Sequence, residues 1–139
     1  VLNNIYYDLD KAEIRPDAAV VLDSLVMIMG DNPEIFVALG SHTDDRAGDD
    51  YNMDLSWQRA RSAVSYMITR GIDPARIVAK GYGESRLLLA NAESEQDHQV
   101  NRRTEFKVLR YNPKTRQDDL PPDEELDEYD RFFDNSGGN

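Results

Sequence analysis

The chain has no cysteine. That excludes a disulfide scaffold and any thiolate-bound metal, while leaving both reducing and oxidising compartments open. Basic residues are scarce: 16 Lys and Arg stand against 27 Asp and Glu, for a formal net charge of −11. Such a balance excludes a nucleic-acid partner, whose phosphates require a basic face, and argues against adhesion to anionic lipid. No apolar run approaches the roughly 20 residues of a membrane-spanning helix, so no membrane-spanning segment is expected. No signal peptide is visible, and the sequence begins at Val1 rather than Met. This is the pattern of a mature product or an excised piece, with targeting information missing. What is present is a 139-residue chain, 40% hydrophobic, which suits one domain with a modest core.

The negative charge is unevenly spread. Residues 111–139 carry nine acids against three bases, a net of −6, which leaves −5 for residues 1–110. The hydrophobic pattern changes at the same place. Before it, residues 4–9 read as a strand rich in β-branched and aromatic side chains. Arg15-Pro16-Asp17 then opens a helix with proline at its first position, and Val21, Leu22, Leu25, Ile28 and Met29 mark its buried face. Ile35–Leu39 has the length and composition of a buried central strand. Gly40 to Asn52 reads as a polar, flexible stretch, with Ser56 as N-cap of a second helix that buries Ala60, Ala63, Val64, Met67 and Ile68 and stops at Gly71. A third strand over 76–81, a loop over 84–100 and an alternating strand over 104–109 complete the order β-α-β-α-β-β. The expected fold is an α+β two-layer sandwich, with two main helices on one face of a four-stranded mixed sheet. From Pro113 onward, Pro121-Pro122 and the acid run support no core, so 1–110 is read as the domain and 111–139 as a largely disordered acidic tail. Tyr129, Phe132 and Phe133 are the tail's candidates for a short partner-docking segment, against the plainer reading of solvated chain.

The chemistry-bearing residues concentrate in Ser41-His42-Thr43-Asp44-Asp45-Arg46-Ala47-Gly48, Tyr51-Asn52 and Leu55-Ser56-Trp57-Gln58-Arg59-Ala60. Asp44 falls just past a central strand and Arg59 in the expected first turn of the next helix, where α/β folds commonly place ligand sites. The plain alternative is an ordinary ion pair between them. His42 beside Asp44 hints at acid/base chemistry, but no nucleophile with an orienting base accompanies it. Asp44, Asp45, Asp49, Asp50 and Asp54 do not have the spacing of a calcium loop. A glycosidase would need two carboxylates placed across a sugar, which spacing alone does not reveal. Gly81-Tyr82-Gly83-Glu84 lacks the third glycine of a dinucleotide fingerprint and reads as a turn. Neither metal, cofactor nor enzyme activity is expected.

Six segments together resemble the OmpA-like (OmpA/MotB) C-terminal domain. They are Tyr7-Asp8-Leu9-Asp10, Gly40-Ser41-His42-Thr43-Asp44, Tyr51-Asn52 with Leu55-Ser56 and Arg59-Ala60, Gly71-Ile72 with Arg76-Ile77, Gly81-Tyr82-Gly83-Glu84, and Asn101 to Phe106. They fall in register over Ile5 to Leu109, and the wording is nearest to envelope lipoproteins of the Bacteroidetes type. The resemblance implies non-covalent peptidoglycan binding in the periplasm, through diaminopimelate of the stem peptide. It further implies the anchoring of an outer-membrane protein, lipoprotein or secretion-complex subunit to the cell wall. It maps the family's two ligand-binding residues onto Asp44 and Arg59, with Asp10, Thr43, Asn52, Leu55 and Arg102 in support. A zwitterion fits independently: a fixed acid faces the ammonium and a planar guanidinium takes the carboxylate, aided by a nearby helix N-terminus. Before ligand arrives, Asp44 and Arg59 are expected to hold each other or water. The 84–100 loop, with Glu93, Glu95 and Asp97, is placed to crowd or gate the site, and the acidic tail to contact a neighbouring envelope protein or compete over Arg59 and Arg102. The alternative function is a protein–protein scaffold of an envelope complex that has lost muropeptide binding.

Overall fold

A computed structural model describes residues 4–110 and 130–131. The elements are β1 (Ile5–Tyr6), α1 (Pro16–Asp31), β2 (Ile35–Ser41), α2 (Asp49–Thr69), a single 3-10 turn (Pro74–Arg76), β3 (Ile77–Gly81), α3 (Glu95–Asn101), β4 (Arg103–Arg110) and β5 (Asp130–Arg131). The sheet order is β1-β4-β2-β3-β5. β2 and β3 are parallel, while β4 is antiparallel to both β1 and β2. The first four strands form the expected mixed sheet, and β5 adds two residues to its free edge, antiparallel to β3. Those two residues lie within the stretch read as a disordered tail. The rest of that stretch, with the suggested docking segment at Tyr129, Phe132 and Phe133, lies outside the described residues.

Handedness explains why both long helices share a face. β1 and β2 run parallel, as do β2 and β3, and each connection moves across the sheet in the same direction. Right-handed crossovers therefore put α1 and α2 on one side. Alternate residues of β2 and β3, Ile35, Val37, Leu39, Ile77 and Ala79, point into that side. There they join Leu22, Leu25 and Met29 of α1 and Ala60, Ala63, Val64 and Met67 of α2 in one buried cluster.

Three boundaries differ from the sequence reading. The first strand shrinks to Ile5–Tyr6, because the chain then leaves the sheet to wall a cleft. The second helix begins at Asp49, capped by Gly48, not near Ser56. Its first two turns are too polar to show an apolar stripe, and Asp49 and Asp50 favour the helix start by opposing the backbone dipole. Ser56 is mid-helix instead, where its hydroxyl donates to the Met53 carbonyl and accepts the Gly83 amide. A side chain at Gly81 would come within 2.6 Å of that hydroxyl, so α2 presses directly on the end of β3. The third difference is α3, a short helix inside the expected 84–100 loop, capped by the Ser94 side chain.

Candidate ligand-binding cleft

The cleft lies at the carboxyl end of β2, between the start of α2, the chain after β1 and the start of β4. Its volume is about 200 Å³, and it is lined by Leu9, Asp10, Thr43, Asp44, Arg46, Ala47, Asn52, Leu55, Arg59 and Arg102. All seven residues singled out from the sequence are there. Leu9, Arg46 and Ala47 were not foreseen, although an arginine two residues after Asp44 in a turn was a legible signal.

Asp44 does not pair with Arg59. Its carboxylate is held by Arg46, at 2.8 Å through Nη2, and by Arg102, at 3.1 Å through Nη1. The Arg46 amide adds a further hydrogen bond at 3.1 Å. Burial pushes the carboxyl up, but these donors outweigh it and hold Asp44 below its ordinary range. Glu95 of α3 completes the network, accepting from Arg46 at 3.0 Å and from Arg102 at 2.7 Å. The Arg102 hydrogen bond, the largest influence, holds the exposed Glu95 carboxyl below its ordinary range against an opposing effect of burial, with Arg46 adding to the lowering. Of the three loop acids expected to crowd the site, Glu95 is the one that reaches its arginines.

Arg59 is fully buried, in the third turn of α2 rather than the first, so the helix N-terminus does not stand over its guanidinium. It donates to the carbonyls of Lys11 (2.8 Å), Asp8 (3.0 Å) and His42 (3.2 Å). Its carbon lies 4.9 Å from the centre of the Tyr7 ring. Among the described residues no carboxylate sits within ion-pair distance of it. Burial pulls the Arg59 guanidinium down to about 10, with neighbouring Arg102 adding to the effect and Asp44 and Asp10 opposing it. A buried cation satisfied by carbonyl dipoles and an aromatic ring, with no carboxylate partner, favours a nearby anion strongly.

The remaining residues set the shape. Asn52 donates to the carbonyls of Asp44 (3.3 Å) and Ala47 (3.1 Å) and to Glu84 (2.7 Å), pinning the turn that carries Asp44. Asp10 has a left-handed backbone, φ 59°, at the cleft wall, and strain of this kind gathers at ligand sites. The Thr43 hydroxyl is buried and without a hydrogen-bond partner among the described residues, an unusual state for a hydroxyl that lines a cleft. His42 lies outside the cleft, stacked on Tyr82 at 5.0 Å. Burial, with help from Arg103, lowers its imidazole to about 4. It is a neutral packing residue at ordinary pH. Asp45, Asp49, Asp50 and Asp54 do not converge: no three His, Cys, Asp or Glu side chains come together to hold an ion among the described residues.

Comparison with known families matches residues 6–102 to the OmpA family. The chain is similar to the "Probable lipoprotein YiaD" of Escherichia coli K12, with 37% identity over 106 residues, 76% of this chain and 48% of that protein. It is also similar to the "Peptidoglycan-associated lipoprotein" of Pseudomonas aeruginosa, with 31% identity over 76% of this chain and 62% of the other. The chain thus spans about half to three-fifths of these two relatives. Among solved structures, the peptidoglycan-associated lipoprotein of Burkholderia pseudomallei superposes with a TM-score of 0.72 over 76% of this chain and 89% of that one; at 20% identity it speaks for the fold alone.

Proposed function

The chain belongs to the OmpA family, and from that premise we propose that it grips peptidoglycan non-covalently through the zwitterionic end of diaminopimelate in the stem peptide. In this reading it anchors an outer-membrane protein or envelope assembly to the cell wall from the periplasmic side. It is a binding module and not an enzyme. The names of its relatives, a peptidoglycan-associated lipoprotein among them, support the wall as partner and the outer-membrane periphery as location.

The observation that carries the reading is the separation of Asp44 from Arg59 across one small cleft, with no bond between them. Arg59 supplies a buried positive field for the ligand carboxylate, reinforced by Arg102. Asp44 receives the ammonium, which exchanges places with the half-exposed Arg46. The Thr43 hydroxyl takes a ligand polar atom, Leu55 and Leu9 flank the methylene chain, and Asn52 and Asp10 fix the walls. Charge-assisted bonds of this kind contribute about 1.5–3 kcal/mol each, which gives micromolar binding to one stem, strengthened by avidity along a polymer.

Co-sedimentation with isolated sacculi tests this, with free diaminopimelate as competitor. Wild type sediments and is released by the competitor, whereas Asp44→Asn, shown by its thermal melt to be still folded, stays in solution. If wild type itself stays in solution, the fold has been kept as a protein–protein scaffold and the wall-anchor reading falls.

A further inference from the structure

The cleft is too small to enclose the whole of a stem peptide. Its volume of about 200 Å³ lies below the roughly 300–1,000 Å³ of sites that enclose a drug-sized molecule. It takes the zwitterionic end of diaminopimelate with its methylenes, and the rest of the stem has to lie on the rim. The rim has an ionic part, where Arg46 pairs with Glu95, and an apolar part. The apolar part consists of Leu9, which lines the cleft and is 44% exposed, and Tyr51, which adjoins the lining residue Asn52 and is 48% exposed.

These two side chains are held in place by a built structure. The Lys11 amide donates to the Asp8 carbonyl at 3.1 Å, closing a turn with Leu9 and Asp10 at its tip. The left-handed backbone of Asp10, φ 59°, is what such a turn asks of its third residue. Arg59 grips both ends of the turn, through the carbonyls of Asp8 and Lys11. From the first turn of α2, the Tyr51 hydroxyl donates to the Asp10 carboxylate at 3.3 Å. The arginine that faces the ligand carboxylate is thus also the foundation of the rim, and the tyrosine is its tether. Tyrosine suits this place, with an apolar ring offered to a ligand and a polar tip already bonded. Half-exposed apolar side chains fixed beside a cleft mark where a bound molecule extends.

We propose that Leu9 and Tyr51 form a second subsite, which takes the alanine that follows diaminopimelate in the stem peptide. The inference rests on the wall-binding reading and extends it by one residue of the ligand. Charge and size select this residue over the one on the other side of diaminopimelate. The alanine is small and apolar, whereas the γ-linked glutamate that precedes diaminopimelate carries a free carboxylate. Asp8 and Asp10 flank Leu9 in the chain and Asp50 precedes Tyr51, all three exposed, so a carboxylate is repelled there.

Isothermal titration calorimetry of the full chain tests this with two synthetic stem peptides, both amidated at the carboxyl end of the stem. One is the tripeptide ending in diaminopimelate, and the other is the tetrapeptide with one further D-alanine. Wild type binds the tetrapeptide about fourfold more tightly, the factor expected for burying one methyl-sized group. Tyr51→Ala, at a half-exposed helical position that accepts alanine, removes the difference. Tyr51→Phe keeps it, because the ring remains. Equal affinity of wild type for the two peptides would overturn the subsite, and so would a preference that survives in Tyr51→Ala. If wild type binds neither peptide, the wall-binding reading itself fails and the subsite goes with it.

Discussion

At one end of the sheet Arg76 donates to the carbonyls of Ile35, Met29 and Asn32. At the other end Arg59 donates to those of Lys11, His42 and Asp8. The two side chains make the same kind of contact in different company. Arg76 gathers the end of α1 and the start of β2, where orphan carbonyls of a helix terminus need a donor. Arg59 gathers the chain after β1 and the end of β2, is wholly buried, and borders an open cleft in which an acid, Asp44, is already held by other arginines. A guanidinium closing a helix end is structural mortar. The same group with no anion of its own beside a cleft also holds the cleft ready for one.

Substitutions should separate the two ends. The largest effect is expected from Arg59→Met, which leaves three carbonyls without their donor while removing the positive field. A loss of about 3 kcal/mol or more in unfolding free energy, read by urea titration, should accompany the loss of sacculus binding. Arg59→Lys restores part of the stability but not the fork geometry. If Arg59→Met binds sacculi normally while folded, Arg59 is mortar as Arg76 is.

Next comes acid. The His42 pKa is lowered on folding to about 4 from an unfolded value near 6.5. The unfolded chain therefore binds the extra proton between those values. The stability that neutral His42 contributes is complete above pH 6.5 and is lost as pH falls toward 4, by up to about 3 kcal/mol. His42→Gln should flatten that part of the stability curve, measured by urea melts from pH 7 to pH 4. An equally steep curve in the variant would place the acid sensitivity elsewhere.

Arg76→Ala should cost about 1–2 kcal/mol, from partly buried carbonyls left without their donor, with sacculus binding unchanged. Smallest of all, Arg46→Ala should alter stability by less than about 1 kcal/mol, since its side chain is half-exposed. It should also let the Asp44 carboxyl titrate closer to its ordinary value, a shift that carbon-13 NMR reads directly. If Asp44 does not move, Arg102 alone holds it.

Much of this was legible in the chain. Pro16, the apolar run Ile35–Leu39, the helical stripe ending at Gly71 and the alternation after Thr104 each encode an element through local sterics and periodicity, and their order leads to the sheet. Membership of the cleft was legible too: Asp44 by its place just past a central strand, and Asp10, Thr43, Asn52, Leu55, Arg59 and Arg102 through the resemblance of the six segments to the OmpA-like domain. The start of α2 was not, since a polar, half-solvated turn carries no hydrophobic period.

What tertiary structure alone decided is who holds whom. Arg59 was expected to hold Asp44 or water, but its partners are carbonyls 17, 48 and 51 residues away in sequence. Asp44 was left to Arg46 and Arg102. Composition made residues 111–139 look unable to hold a place in the fold, yet Asp130–Arg131 pair with β3. A sequence determines periodicity and local conformation, because these depend on neighbours along the chain. The partner of a buried charge and the pairing of a sheet edge depend on neighbours in space, which exist only once the sheet has closed.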